Sequence, residues 1–152
     1  MPQNLTVPIS DPSLVREQCY IDGRWVDADS GERMDVINKA SGQSLGSVPR
    51  MAANETRRAI DAANAALPSW RSKTAKERAT ILQKWYELML ENQKDLAMLM
   101  TAEQGKPMAE SMGEVVYAAS FIEWFAEEGK RLYGDTIPVS YTHLTLPTIL
   151  LV

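Results

Sequence analysis

The chain has 152 residues, 45% hydrophobic and 24% charged, which is the composition of one folded domain and not of a disordered or fibrous protein. Its formal charge of −4, with Arg57, Arg58, Lys73, Lys76 and Arg78 interleaved with Glu55, Asp61 and Glu77, argues against a nucleic-acid partner, because counterion release needs clustered cations. The single cysteine, Cys19, excludes an internal disulfide and a cysteine-based metal cluster, and no uncharged apolar window is long enough to span a membrane.

The opening Met1-Pro2-Gln3-Asn4-Leu5 lacks the basic and apolar regions of a signal peptide, so a cytoplasmic location is expected. Residues 1–14, with Pro2, Pro8 and Pro12 among polar neighbours, read as an irregular arm. Cys19-Tyr20-Ile21, Asp22-Gly23 and Arg24-Trp25-Val26 form a hairpin pattern, since Asp-Gly supplies the positive φ angles of a two-residue turn. Two further strands are predicted at 34–38 and 44–48, the second closed by Pro49.

After Met51 the hydrophobic period lengthens to that of a helix. Ala59, Ile60, Ala63, Ala66 and Leu67 share a stripe over 54–67, with a stop expected at Pro68. Thr74-Ala75-Lys76-Glu77 has the pattern of a capping box, and the helix it opens is expected to bury Ile81, Leu82, Trp85, Leu88 and Met89. A break at Asn92 precedes a helix through Leu96, Leu99 and Met100 that ends before Gly105. Pro107 then opens the longest helix, expected to reach Tyr133. That helix has Met112, Val115, Ala119, Ile122 and Ala126 on one stripe and Tyr117, Phe121, Trp124 and Phe125 on another, so it demands cover on two sides. The reading is a small β-hairpin region followed by three to four helices, an incomplete domain. Residues 139–152 carry no charge and hold the only histidine, His143; they read as a non-native tail, the alternative being an apolar strand.

Tyr20-Ile21-Asp22-Gly23-Arg24-Trp25, Ile37-Asn38-Lys39-Ala40-Ser41-Gly42, Ala75-Lys76-Glu77-Arg78-Ala79, Glu103-Gln104-Gly105-Lys106-Pro107 and Tyr117-Ala118-Ala119-Ser120-Phe121-Ile122-Glu123-Trp124-Phe125 resemble the aldehyde dehydrogenase superfamily, succinate-semialdehyde branch. The resemblance covers about residues 14–138, departs from the usual family proline at Lys39, and places 15–138 in the amino-terminal part of a cofactor-binding domain. It implies an α/β parent that oxidises an aldehyde to a carboxylate with NAD or NADP, assembled as a dimer or tetramer. The family's thiolate nucleophile, oxyanion donors, water-activating glutamate and cofactor loop belong to sequence this chain does not contain, so the chain by itself is expected to be inactive and to bind no cofactor. Glutarate semialdehyde is an alternative substrate. A non-enzymatic helical interaction module is the alternative class, to be separated from the first by whether the gene continues past Pro138 into a Pro-Trp-Asn-Phe motif.

Three sets of candidate residues follow. Cys19 has no histidine before His143 to activate it and reads as a small apolar strand residue, not a nucleophile. The resemblance implies a monovalent cation held by Glu103 with the backbone carbonyls of Val36 and Ile37; the alternative is a solvent-facing acid at a helix C-terminus. It also places Tyr117 and Phe121 on the wall of the substrate tunnel, against the plainer reading of an aromatic core stripe. No glycine-rich phosphate loop is present.

Overall fold

In the computed structural model residues 7–134 are described. A 3₁₀ turn spans Pro12–Leu14, capped by Asp11, whose Oδ1 accepts from the Ser13 N–H at 2.9 Å. Strands β1 (Cys19–Ile21) and β2 (Arg24–Val26) pair antiparallel, with Cys19 opposite Val26. Asp22 and Gly23 between them adopt φ of 51° and 74°, the paired positive angles of a type I′ turn.

Strands β3 (Arg33–Ile37) and β4 (Ser44–Pro49) make a second, separate antiparallel hairpin. Val36 faces Gly46 but Ile37 faces Ser44, so Leu45 is the additional residue of a bulge, and it is buried. Gly46 sits there at φ 143°, and a side chain at this position would meet the Glu17 carboxylate at 2.6 Å.

Helix α1 runs Ala53–Ser72, so the expected stop at Pro68 does not occur. Proline removes one intrahelical hydrogen bond. Pro68 stands in the last turns of the helix, four residues before its end at Ser72, so the one bond lost, to the Asn64 carbonyl, does not stop it. The capping box forms as expected at the start of α2 (Ala75–Glu91). Glu77 N–H donates to Thr74 Oγ1 at 3.2 Å, and Thr74 N–H donates to Glu77 Oε2 at 2.7 Å. Asn92 separates α2 from α3 (Gln93–Gln104), which ends on Gly105 in the left-handed conformation at φ 78°. Pro107 precedes α4 (Met108–Glu128), which ends short of the expected Tyr133. There the chain tightens, with Lys130 and Arg131 N–H donating to the carbonyls of Glu127 and Glu128 three residues back.

The residues buried where α2, α3 and α4 meet are small. Ala79 of α2, Ala97 of α3 and Ser111, Val115, Ala119 and Ala126 of α4 bring these three helices together. Thr101 Oγ1 donates to Ser111 Oγ at 2.8 Å and Gln93 Nε2 to the Met112 carbonyl at 3.1 Å across the α3–α4 contact. The apolar stripes expected inside do not all lie inside. Ile60 and Leu67 of α1 and Ile81, Trp85 and Leu88 of α2 are exposed, although their spacing is that of an amphipathic helix. A stripe is buried only where another layer lies over it, and the described elements supply that layer for one side of the α2–α4 group. Among the described residues no helix is long and apolar enough to cross a membrane.

Candidate functional site

Two places collect the candidate residues. The first is the outer face of α4. Tyr117, Phe121, Trp124 and Phe125 are 65, 48, 61 and 61% exposed, with the Tyr117 and Phe121 rings edge to face at 4.9 Å between centroids. Phe121, Trp124, Phe125, Glu123 and Arg131 line a shallow groove along this face. Its walls belong to one helix and the turn after it, so the groove encloses nothing by itself. The core reading of Tyr117 and Phe121 is therefore not what the described residues show: both are surface residues.

The second lies between α3, the β3–β4 hairpin and the amino-terminal arm. Val36, Leu45, Leu99, Glu103, Val15 and Glu17 border a cavity of about 50 Å³. Val36 and Glu103, paired by the cation expectation, thus share one cavity, and Ile37 is not part of its wall. Glu17, which the sequence reading missed, adds a second carboxylate. Cys19 is half-buried on β1, in the strand position expected for it, and among the described residues no group of three or more His, Cys, Asp or Glu side chains converges on a metal site.

Three further polar groups were not legible as site residues. Asp95, in the first turn of α3, is almost fully buried, and its Oδ2 accepts from the backbone N–H groups of Ser10 and Asp11 at 2.9 and 2.8 Å. These two bonds, the Ser10 one foremost, hold its carboxyl below the ordinary aspartate value. Glu55, in the first turn of α1, is equally buried and accepts from Asp29 N–H at 2.8 Å and Ala52 N–H at 3.1 Å, which lowers its carboxyl likewise, the Asp29 bond contributing most. Arg33 on β3 spreads its guanidinium over Ser47 Oγ (2.8 Å), the Ser47 carbonyl (2.8 Å), the Glu17 carbonyl (2.7 Å) and Asp27 Oδ1 (2.5 Å). The signal for the acids was present as acidic residues in first helical turns; their distant partners, Asp29 for Glu55 and Ser10 and Asp11 for Asp95, 26 to 85 residues away, were not.

These helix starts bear on dinucleotide binding. A pyrophosphate needs free backbone N–H groups at a helix N-terminus. At α1 and α2 those groups face the chain's own Glu55 and Glu77 carboxylates, and α3 opens on the engaged Asp95.

The model of the aldehyde dehydrogenase family matches residues 25–148. The chain belongs to that family. The match runs beyond Pro138, into the segment that the sequence reading sets apart as non-native; residues 135–152 lie outside the described part. This aldehyde dehydrogenase chain is 67% identical over 130 residues to the NADP-dependent succinate-semialdehyde dehydrogenase of Escherichia coli (strain K12), covering 86% of this chain and 27% of that protein. It is 63% identical over 130 residues to the glutarate-semialdehyde dehydrogenase of Pseudomonas aeruginosa, with the same coverage. Among solved structures, an NADP-dependent enzyme of E. coli superposes with a TM-score of 0.85 at 65% identity, covering 88% of this chain and 28% of the other. The chain thus spans about a quarter of the length of the relatives it matches.

Proposed function

We propose that this chain is the amino-terminal part of an NAD(P)-dependent semialdehyde dehydrogenase that oxidises succinate semialdehyde to the dicarboxylate. The observation that carries the reading is the agreement of sequence and fold over the same stretch: 67% identity to the E. coli succinate-semialdehyde enzyme and a TM-score of 0.85 to an E. coli NADP-dependent enzyme. Glutarate semialdehyde is the second reading, supported by the 63% identical P. aeruginosa relative. These substrates differ by one methylene, which a binding pocket distinguishes by roughly 1–3 kcal/mol.

In this reading the chain's own residues scaffold and do no bond-making. Cys19 pairs with Val26 across the β1–β2 hairpin and is half-buried. Tyr117 and Phe121 present an aromatic wall to an aldehyde carried between α4 and the rest of the enzyme. Glu103 and Val36 border one cavity, which supports a monovalent-cation role for the Glu103 carboxylate and the Val36 carbonyl as hard oxygen donors. The purified 152-residue chain is expected to reduce neither NAD nor NADP when given succinate semialdehyde. Reduced cofactor appearing by absorbance above a Cys19→Ala control would overturn the scaffold reading. Sequencing the gene beyond Pro138 tests the parentage: an open frame entering Pro-Trp-Asn-Phe supports it, and a stop codon near residue 152 favours a helical interaction module.

A further inference from the structure

The arm between Val7 and Glu17 is hydrogen-bonded to the module at two ends of different character, and near the inner one the Arg16 guanidinium also lies 5.1 Å from the Trp25 ring centroid. At its inner end the Glu17 carbonyl accepts from Arg33 at 2.7 Å, and the same guanidinium holds Ser47 and Asp27, so this end is built into the β3–β4 hairpin. The absence of a side chain at Gly46 lets the Glu17 carboxylate lie directly against β4. At its outer end the attachment is one side chain. Asp95 Oδ2 takes both the Ser10 and the Asp11 N–H, 84 and 85 residues away in sequence. Between the two ends the 3₁₀ turn and its Asp11 cap make the arm a short stiff piece, not a floppy tail.

This piece lies over two openings. Val15 and Glu17 wall the cavity that reaches Leu45, Leu99 and Glu103. Val7 and Pro8 wall a second one that reaches Met98, Ala102 and Met108 between α3 and the start of α4. We infer that Val7–Glu17 is a hinged strap, pivoting at Arg33 and latched by Asp95, that closes the space between α3 and the β3–β4 hairpin. The chemistry favours one latch over a distributed seam. A buried carboxylate with two charge-assisted bonds releases both together when it is removed, whereas the pivot retains its other bonds. The inference does not depend on which aldehyde the parent enzyme oxidises.

Amide hydrogen exchange on the full chain, resolved by peptide, tests the strap with Asp95→Ala and Asp95→Asn. Removing the latch should speed exchange at the Ser10 and Asp11 amides by on the order of tenfold or more, with the amides of β4 around Leu45 following. Protection in α2 and in α4 around Ala119 should stay as in the parent chain. Asparagine keeps an acceptor without the charge and should fall between the two. Tryptic cleavage after Arg16 should rise in the same order. Unchanged exchange at Ser10 and Asp11 in the alanine variant would overturn the latch, and so would acceleration spread evenly over all four helices. If the alanine variant does not fold, the asparagine variant decides: a local loss of arm protection supports the strap, and a global one rejects it.

Discussion

The two faces of α4 are built from opposite materials. Along Ser111, Val115, Ala119 and Ala126 the helix is buried with hardly any side-chain volume to hide, and along Tyr117, Phe121, Trp124 and Phe125 it shows four large rings to solvent. The inner face is a contact surface where small residues let α2 and α3 approach closely. The outer one is apolar surface that no other described element covers. The lesson concerns how burial is read. Residue size and hydrophobicity do not tell which stripe of a doubly apolar helix is inside; the arrangement of neighbouring helices does.

The largest effect should come from breaking the inner face. Ala119→Leu forces additional methylenes into the α2–α4 contact where Ala119 has no exposed surface. Overpacking of this kind costs about 1–3 kcal/mol. The expected result is a lowered thermal midpoint with loss of a cooperative transition by near-ultraviolet circular dichroism. An unchanged melt would show that the contact between α2 and α4 is loose.

A second test uses acid. Asp95, Glu55 and Glu77 have carboxyls held below their ordinary values of 3.8 for aspartate and 4.5 for glutamate by backbone N–H donors. A group depressed in the folded state binds fewer protons there than in the unfolded chain, so its contribution is complete above the ordinary carboxylate range. It is lost as pH falls through the folded value. The thermal midpoint should therefore stay level from neutral pH to about pH 5 and drop below about pH 4. The Asp95→Asn variant should start lower and fall less steeply, because one titrating group is gone; a slope equal to that of the parent chain would remove Asp95 from the account.

The capping box gives a smaller, local effect. Thr74→Ala leaves the Glu77 N–H without its side-chain acceptor and should cost about 1 kcal/mol, read as a fall in thermal midpoint. Thr74→Ser should restore most of it, and failure of serine to do so would assign the effect to the methyl group.

Smallest in stability, and most useful for the comparison, are changes on the outer face. Phe121→Ser with Trp124→Gln should alter the thermal midpoint by no more than about 0.5 kcal/mol equivalent, since exposed side chains contribute little to folding. The same pair should clearly reduce hydrophobic-dye fluorescence and self-association by light scattering, because contiguous exposed apolar area drives both. A destabilisation as large as that of Ala119→Leu would mean the aromatic face is covered in solution.

How much of this was legible in the chain can be judged element by element. The Asp22-Gly23 turn, the Thr74–Glu77 cap, the Asn92 break and the Gly105 stop follow from backbone angles and hydrogen bonds spanning no more than four residues, so their residue types declare them. The helix passes the stop expected at Pro68 because a single lost bond near the end of a 20-residue helix does not decide where it ends. The candidate sites were less legible than the elements. Val36 and Glu103 do meet on one cavity, but Glu17, Arg33 and Asp95 carry nothing in their local sequence that names their partners.

The sequence by itself therefore determined the order and kind of the helices and hairpins, the Thr74 cap and the Gly105 stop, and the family, because these rest on short-range spacing and on residue identity retained along the chain. Only the tertiary structure decided which face of α4 is inside, that the stripes of α1 and α2 stay exposed, and that a carboxylate at position 95 holds the backbone at positions 10 and 11. Burial and long-range hydrogen bonds are properties of pairs of elements. Local spacing fixes what each element can offer, and the packing of its neighbours fixes what is taken up.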